Sequence, residues 1–85
     1  MSDQKLIKAR GKIPQIATDV FVADGARIIG DVTIGSGSSV WYNTTLRGDV
    51  MPITIGRDTN IQDGSVLHGT FGKHACSLGN EVTIG

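Results

Sequence analysis

From Ile16 onward an aliphatic side chain recurs at every sixth residue: Ile16, Val22, Ile28, Ile34, Val40 and Leu46. After a three-residue interruption at Met51 to Ile53 the step resumes at Ile55, Ile61 and Leu67, and after a longer one at Leu78 and Ile84. A six-residue period matches neither the 3.6 of a helix nor the strict alternation of a long half-buried strand. Two further positions keep the same step. Glycine follows the aliphatic residue at Gly35, Gly56, Gly79 and Gly85, where a turn needs a positive φ or a close backbone approach. Two residues before it the side chain is small at Ala26, Ser38, Thr44, Thr59, Ser65 and Cys76.

Composition agrees with short strands and turns. Ile, Val and Thr supply 25 residues against four Leu, and Gly supplies 12. β-branched residues suit strands and glycine suits turns. The repeat therefore predicts an all-β chain, a parallel β-helix of hexapeptide repeats in which each hexapeptide is one short strand and a turn. Three hexapeptides make one triangular coil, with the aliphatic anchor pointing to the axis and coils stacked about 4.8 Å apart. Ile16, Val22 and Ile28 form the first coil, Ile34, Val40 and Leu46 the second, and Ile55, Ile61 and Leu67 the third. Leu78 and Ile84 start a fourth. Residues 1–15, with Pro14 at their end, are expected to be an N-terminal lead-in or cap strand. Residues 16–85 are the β-helix, with an insertion loop at 69–77. The expectation is three to four coils, incomplete at the C-terminal end, with an upper edge open to another chain.

Eighty-five residues allow one small domain, with eight basic and eight acidic side chains, zero formal net charge and 39% apolar content. No basic cluster suggests a nucleic-acid surface, and no apolar run suggests a membrane span. The charged N-terminal ten residues lack a signal-peptide core, so a cytoplasmic location is expected. A single cysteine, Cys76, excludes an internal disulfide framework. It falls in a small inward slot and is expected to be a packed thiol.

In the second and third coils the position after the anchor carries Trp41, Arg47, Gln62 and His68 instead of glycine. Stacking puts Arg47 and His68 on one face and Trp41 and Gln62 on another. Trp41 is expected on an outer face or at a subunit contact. The long insertion leaves directly after His68, and a loop beside polar side chains is where a solenoid builds a site. His74, within that loop, is expected to be solvated.

Leu46-Arg47-Gly48-Asp49, followed by Asn60-Ile61-Gln62-Asp63-Gly64-Ser65-Val66-Leu67-His68, strongly resembles the γ-class carbonic anhydrase family. The resemblance spans nearly the whole chain and implies a left-handed coil. It also implies a homotrimer with zinc, or iron or cobalt in its place, on three histidines shared between adjacent subunits. Carried over, His68 matches the first metal histidine. Gln62 matches a residue near the metal-bound water, Asn60 and Asp63 match neighbours in that polar network, and Arg47 and Asp49 match a salt-bridging pair across the trimer interface. The family's reaction is the reversible hydration of CO2. Its other two metal histidines, spaced H-x4-H, would follow Gly85, and Val50 stands where the family prototype carries a proton-transferring acid. The chain alone is therefore expected to hold an incomplete metal site and to be inactive. Two other functions fit the repeat: a hexapeptide acyltransferase using a histidine base, and a non-catalytic trimeric scaffold or assembly module whose trimers join end to end.

Overall fold

The computed structural model describes residues 5–68 and 76–85. Ten short strands follow one another with no helix among the described residues: β1 (Leu6–Ile7), β2 (Gln15–Ile16), β3 (Phe21–Val22), β4 (Arg27–Ile34), β5 (Ser39–Val40), β6 (Thr45–Ile55), β7 (Asn60–Ile61), β8 (Val66–His68), β9 (Cys76–Leu78) and β10 (Thr83–Ile84). All pair in parallel with the strand of the coil above or below. A four-stranded sheet, in the order β10-β7-β5-β3, forms one face of the prism. A six-stranded sheet forms the other two, because β4 and β6 run unbroken round a corner: β1 and β8 extend it along one face, and β2 and β9 along the other. The parallel β-helix expected from the repeat is thus the observed architecture.

The register places the six-residue anchors above one another. Ile16, Ile34, Ile55 and Leu78 make one ladder. Val22, Val40, Ile61 and Ile84 make the second, and Ile28, Leu46 and Leu67 the third. Leu6 adds a rung beneath Ile28. The middle rungs are fully enclosed, and Leu67, Leu78 and Ile84 pack half-buried against them. The three-residue insertion is absorbed at one corner. There Asp49 to Pro52 of β6 stand opposite Asp31 alone, between the Gly30–Gly48 and Val32–Ile53 pairs.

The slot two residues before each anchor is also internal, and its occupant depends on the face. On the face of the first ladder it holds Val32 and Ile53, both buried. Elsewhere it holds Ala26, Ser38, Thr44 and Thr59, again buried. Their hydroxyls are not idle: Ser38 Oγ donates to the Gly56 carbonyl at 2.8 Å, Thr44 Oγ1 to Gln62 at 2.8 Å and Thr59 Oγ1 to Gly79 at 2.9 Å. Each bond ties a corner carbonyl to the coil beneath it, which removes the penalty of burying a polar group in an apolar core.

Of the glycines that follow the anchors, Gly35 and Gly56 answer to crowding while Gly79 and Gly85 have open space, and none has a left-handed backbone. A Cβ on Gly56 would lie 2.6 Å from the Gly79 carbonyl oxygen. Positive φ falls instead at the corners, where Asn43 and Asp58, residues that tolerate it, have φ of 57° and 52°.

Candidate functional site

Arg47 and His68 are Cα partners in the β6–β8 pairing, so the two side chains leave the prism from one face, one coil apart. His68 is exposed. Arg47 and Asp49 are two apart in β6 and therefore project to the same side. Arg47 Nη2 lies 3.2 Å from Asp49 Oδ2, with the two side chains 50% and 28% exposed. This hydrogen bond holds the Asp49 carboxyl below the usual carboxylate range, against a smaller opposing effect of burial.

The sign of this effect sets a pH dependence. A carboxyl whose folded pKa is depressed stabilises the fold above its unfolded pKa, and that contribution is lost as pH falls through the folded value. The pair is partly solvated, so its contribution is under about 1 kcal/mol. Arg47→Gln is expected to raise the Asp49 titration midpoint towards that of a free aspartate, as followed by carboxyl-carbon NMR. An unchanged midpoint would refute the pairing.

Asn60 belongs to the other sheet, and Gln62 to the corner that follows it. Asn60 lies in β7, paired below with Ser39 of β5 and above with Thr83 of β10. Its Oδ1 accepts from Ser39 Oγ at 2.5 Å, and Ser39 Oγ accepts from Trp41 Nε1 at 2.8 Å. Gln62 follows β7 into the corner, where its backbone N–H donates to the Ile84 carbonyl at 2.8 Å and its carbonyl accepts from the Ser65 N–H at 3.3 Å. Its side chain is half-buried, and Asp63 beside it is exposed. One chain thus places the expected site residues in two groups: Arg47, Asp49 and His68 on the six-stranded sheet, and Asn60 on the four-stranded one, with Gln62 and Asp63 at the corner that follows it.

Among the described residues no three His, Cys, Asp or Glu side chains group as metal ligands. His74 and the rest of the 69–75 segment lie outside the described residues, as does the Cys76 side chain. Four-coordinate zinc needs at least three protein ligands besides a reactive water. His68 supplies one imidazole, so the described residues do not by themselves fit a complete zinc site.

Two features escape the six-residue period. The first is the Trp41–Ser39–Asn60 chain. Ser39 and Asn60 are 21 residues apart, the 18 of one coil plus the three of the insertion, so counting the insertion would have paired them. The second is a cleft of about 180 Å³ at the insertion corner, where Ala9, Arg10 and Lys12 face Asp31 and the Gly48 to Pro52 stretch. No periodic signal marks its N-terminal wall, a tight turn closed by reciprocal 2.9 Å backbone hydrogen bonds between Ala9 and Lys12.

Over 59 residues the chain is 56% identical to a carbonic anhydrase of Geobacillus kaustophilus, in a match covering 69% of this chain and 32% of that protein. It is 46% identical over 85 residues to gamma carbonic anhydrase 1, mitochondrial, of Arabidopsis thaliana, covering 94% of this chain and 31% of that one. The crystal structure of a hexapeptide transferase family protein from Anaplasma phagocytophilum superposes with a TM-score of 0.88 at 46% identity, covering 94% of this chain and 46% of that chain. No protein-family model matches the chain. The chain spans about a third of the length of the two curated relatives. No helix among the described residues is long and apolar enough to cross a membrane. Since the curated relatives share the sequence that builds the coils and the solved neighbour shares the fold as well, the chain belongs to the γ-carbonic-anhydrase-like hexapeptide-repeat proteins.

Proposed function

We propose that this chain serves the reversible hydration of CO2, as part of a metal site shared between copies in a homotrimer. One observation carries the reading: His68 and the Arg47–Asp49 pair lie on one sheet of the prism and Asn60 on the other. A single copy holds His68 and the Arg47–Asp49 pair on a different sheet from Asn60, with Gln62 at the corner between them. A neighbouring copy that packs its four-stranded sheet against this face reunites them. In that arrangement His68 is one metal ligand, and further ligands come from the neighbouring copy or from residues outside the described segments. The Arg47–Asp49 pair holds the interface, and the Gln62 and Asn60 amides supply polar contacts from the opposite side. The metal of this reading is zinc, with iron or cobalt as alternatives, and the compartment is aqueous, the cytoplasm in the simplest case.

The test is metal content and stopped-flow CO2 hydration of the purified chain and of His68→Ala, with mass by light scattering. Hydration by the 85 residues alone is expected to be weak or absent, so metal affinity is the deciding readout. His68→Ala is expected to lower it at least tenfold, and the mass to be three times that of the chain. Equal metal content in parent and variant, or a stable monomer, would sink the reading. The hexapeptide transferase family neighbour favours a second one, acyl transfer with His68 as base. Turnover of acetyl-CoA that His68→Ala abolishes would establish it. If neither activity appears and the trimers join end to end, the scaffold function stands.

A further inference from the structure

On the outer surface of the four-stranded sheet Phe21, Ser39, Asn60 and Thr83 stand in one column. Trp41 leans onto it from the next corner, with its indole Nε1 2.8 Å from Ser39 Oγ, which in turn lies 2.5 Å from Asn60 Oδ1. The direction of this chain follows from the chemistry of its first member. An indole N–H can only donate. The Ser39 hydroxyl therefore accepts from Trp41 and has its own proton left to give to Asn60. Only the amide oxygen can receive that proton, so Oδ1 faces Ser39 and the Nδ2 amino group points away. Among the described residues nothing accepts a hydrogen bond from Nδ2. Ser39 is 9% exposed, which hinders water from taking its place. The indole is itself held, with the Phe21 ring 4.9 Å away at 55° and the Tyr42 ring 6.2 Å away at 59°.

We infer that Ser39 and Trp41 are positioning residues, which lock Asn60 with its amide N–H groups presented outward to donate to a small oxyanion such as bicarbonate. An amide free to flip would offer an oxygen to that anion half the time. The locked one offers only donors, and no carboxylate stands in its column. The identity of the ligand rests on the hydration reading above, whereas the locked amide does not.

The full chain, labelled with nitrogen-15, tests this by titration with sodium bicarbonate against sodium chloride at equal ionic strength. Trp41 is the only tryptophan, so its indole N–H signal is unique. The expected result is that the Asn60 side-chain amide and Trp41 indole signals shift together along one isotherm. Ser39→Ala is expected to weaken bicarbonate binding about tenfold and to displace the indole signal. Ser39→Thr, which keeps the hydroxyl, is expected to restore both. Asn60→Asp still accepts from Ser39 but repels the anion, so it is expected to keep the indole hydrogen-bonded and lose binding. Bicarbonate that moves neither signal, or an affinity unchanged in Ser39→Ala, overturns the proposal. The hydration reading fails on a different measurement, equal metal content in parent and His68→Ala, so the two failures are distinguishable.

Discussion

Leu46→Ala is expected to destabilise the fold by about 2–5 kcal/mol, the range for deleting a buried leucine side chain. Leu46 is 0% exposed, sits on the prism axis and has Ile28 below and Leu67 above in the same ladder. Its neighbours are held by backbone pairing on both sides, so they cannot collapse into the space. The cavity term therefore adds to the lost transfer energy. A domain of this size has a total stability of only about 4–13 kcal/mol, so the variant is expected to lose a large fraction of it. Urea unfolding at fixed protein concentration measures it, because association would otherwise shift the midpoint. Leu67→Ala provides the internal comparison: this rung is half-buried and is expected to cost distinctly less. A loss below about 1 kcal/mol for Leu46→Ala would mean that the ladder is not the core.

Gly48→Ala is expected to be nearly as damaging, for a different reason. Gly48 has no positive φ, so the new methyl group brings no conformational penalty of its own. It would lie 2.5 Å from the Asp31 carbonyl oxygen, 2.8 Å from its carbon and 2.9 Å from Val32 Cγ2. Two of those atoms are backbone of the coil beneath, and they cannot swing away as a flexible side chain could. The coils must part at the insertion corner, at an expected cost at or above the upper end of the roughly 1–3 kcal/mol typical of overpacking. The same shift displaces Arg47 and Asp49, which flank Gly48, so the Asp49 titration midpoint should move as well. Gly64→Ala is the control. Gly64 has φ +74° and open space around it, so only the left-handed backbone is penalised, by about 1–2 kcal/mol. Thermal and urea unfolding of both variants separate the two causes. Equal losses would show that crowding at Gly48 is relieved locally.

Much of the fold was legible because an inward side chain every six residues is a one-dimensional signal. Each anchor must be apolar wherever its coil stands, so Ile16 to Leu46 announce the coil without reference to contacts. The insertion was visible for the same reason, as a break in the step, although the register places it within Asp49 to Pro52 and has Ile53 back in line opposite Val32. The placement of Arg47 beneath His68 followed from the register alone. Less legible were the occupants of the second inward slot. Small residues mark it at Ser38, Thr44 and Thr59, yet Val32 and Ile53 fill it on the face of the first ladder. There the corner is bulged, and aliphatic bulk takes the place of a hydroxyl rung. The anchor-following glycines were identified as special, but the period could not separate close approach from positive φ.

The sequence by itself determined which side chains face the axis, and hence the three ladders and the parallel coils that stack them. Burial of an anchor depends on its own position in the repeat and on little else. Tertiary structure decided which outward side chains bond to one another and in which direction. Ser39 and Asn60 touch across 21 residues, whereas Asn60 and His68, eight apart, stand on different sheets. Outward contacts depend on how whole coils align, on the extra residues a corner absorbs, and on the direction each side chain takes after leaving the strand. A count along the chain pairs such residues across coils, but it does not give the bonds their side chains then make.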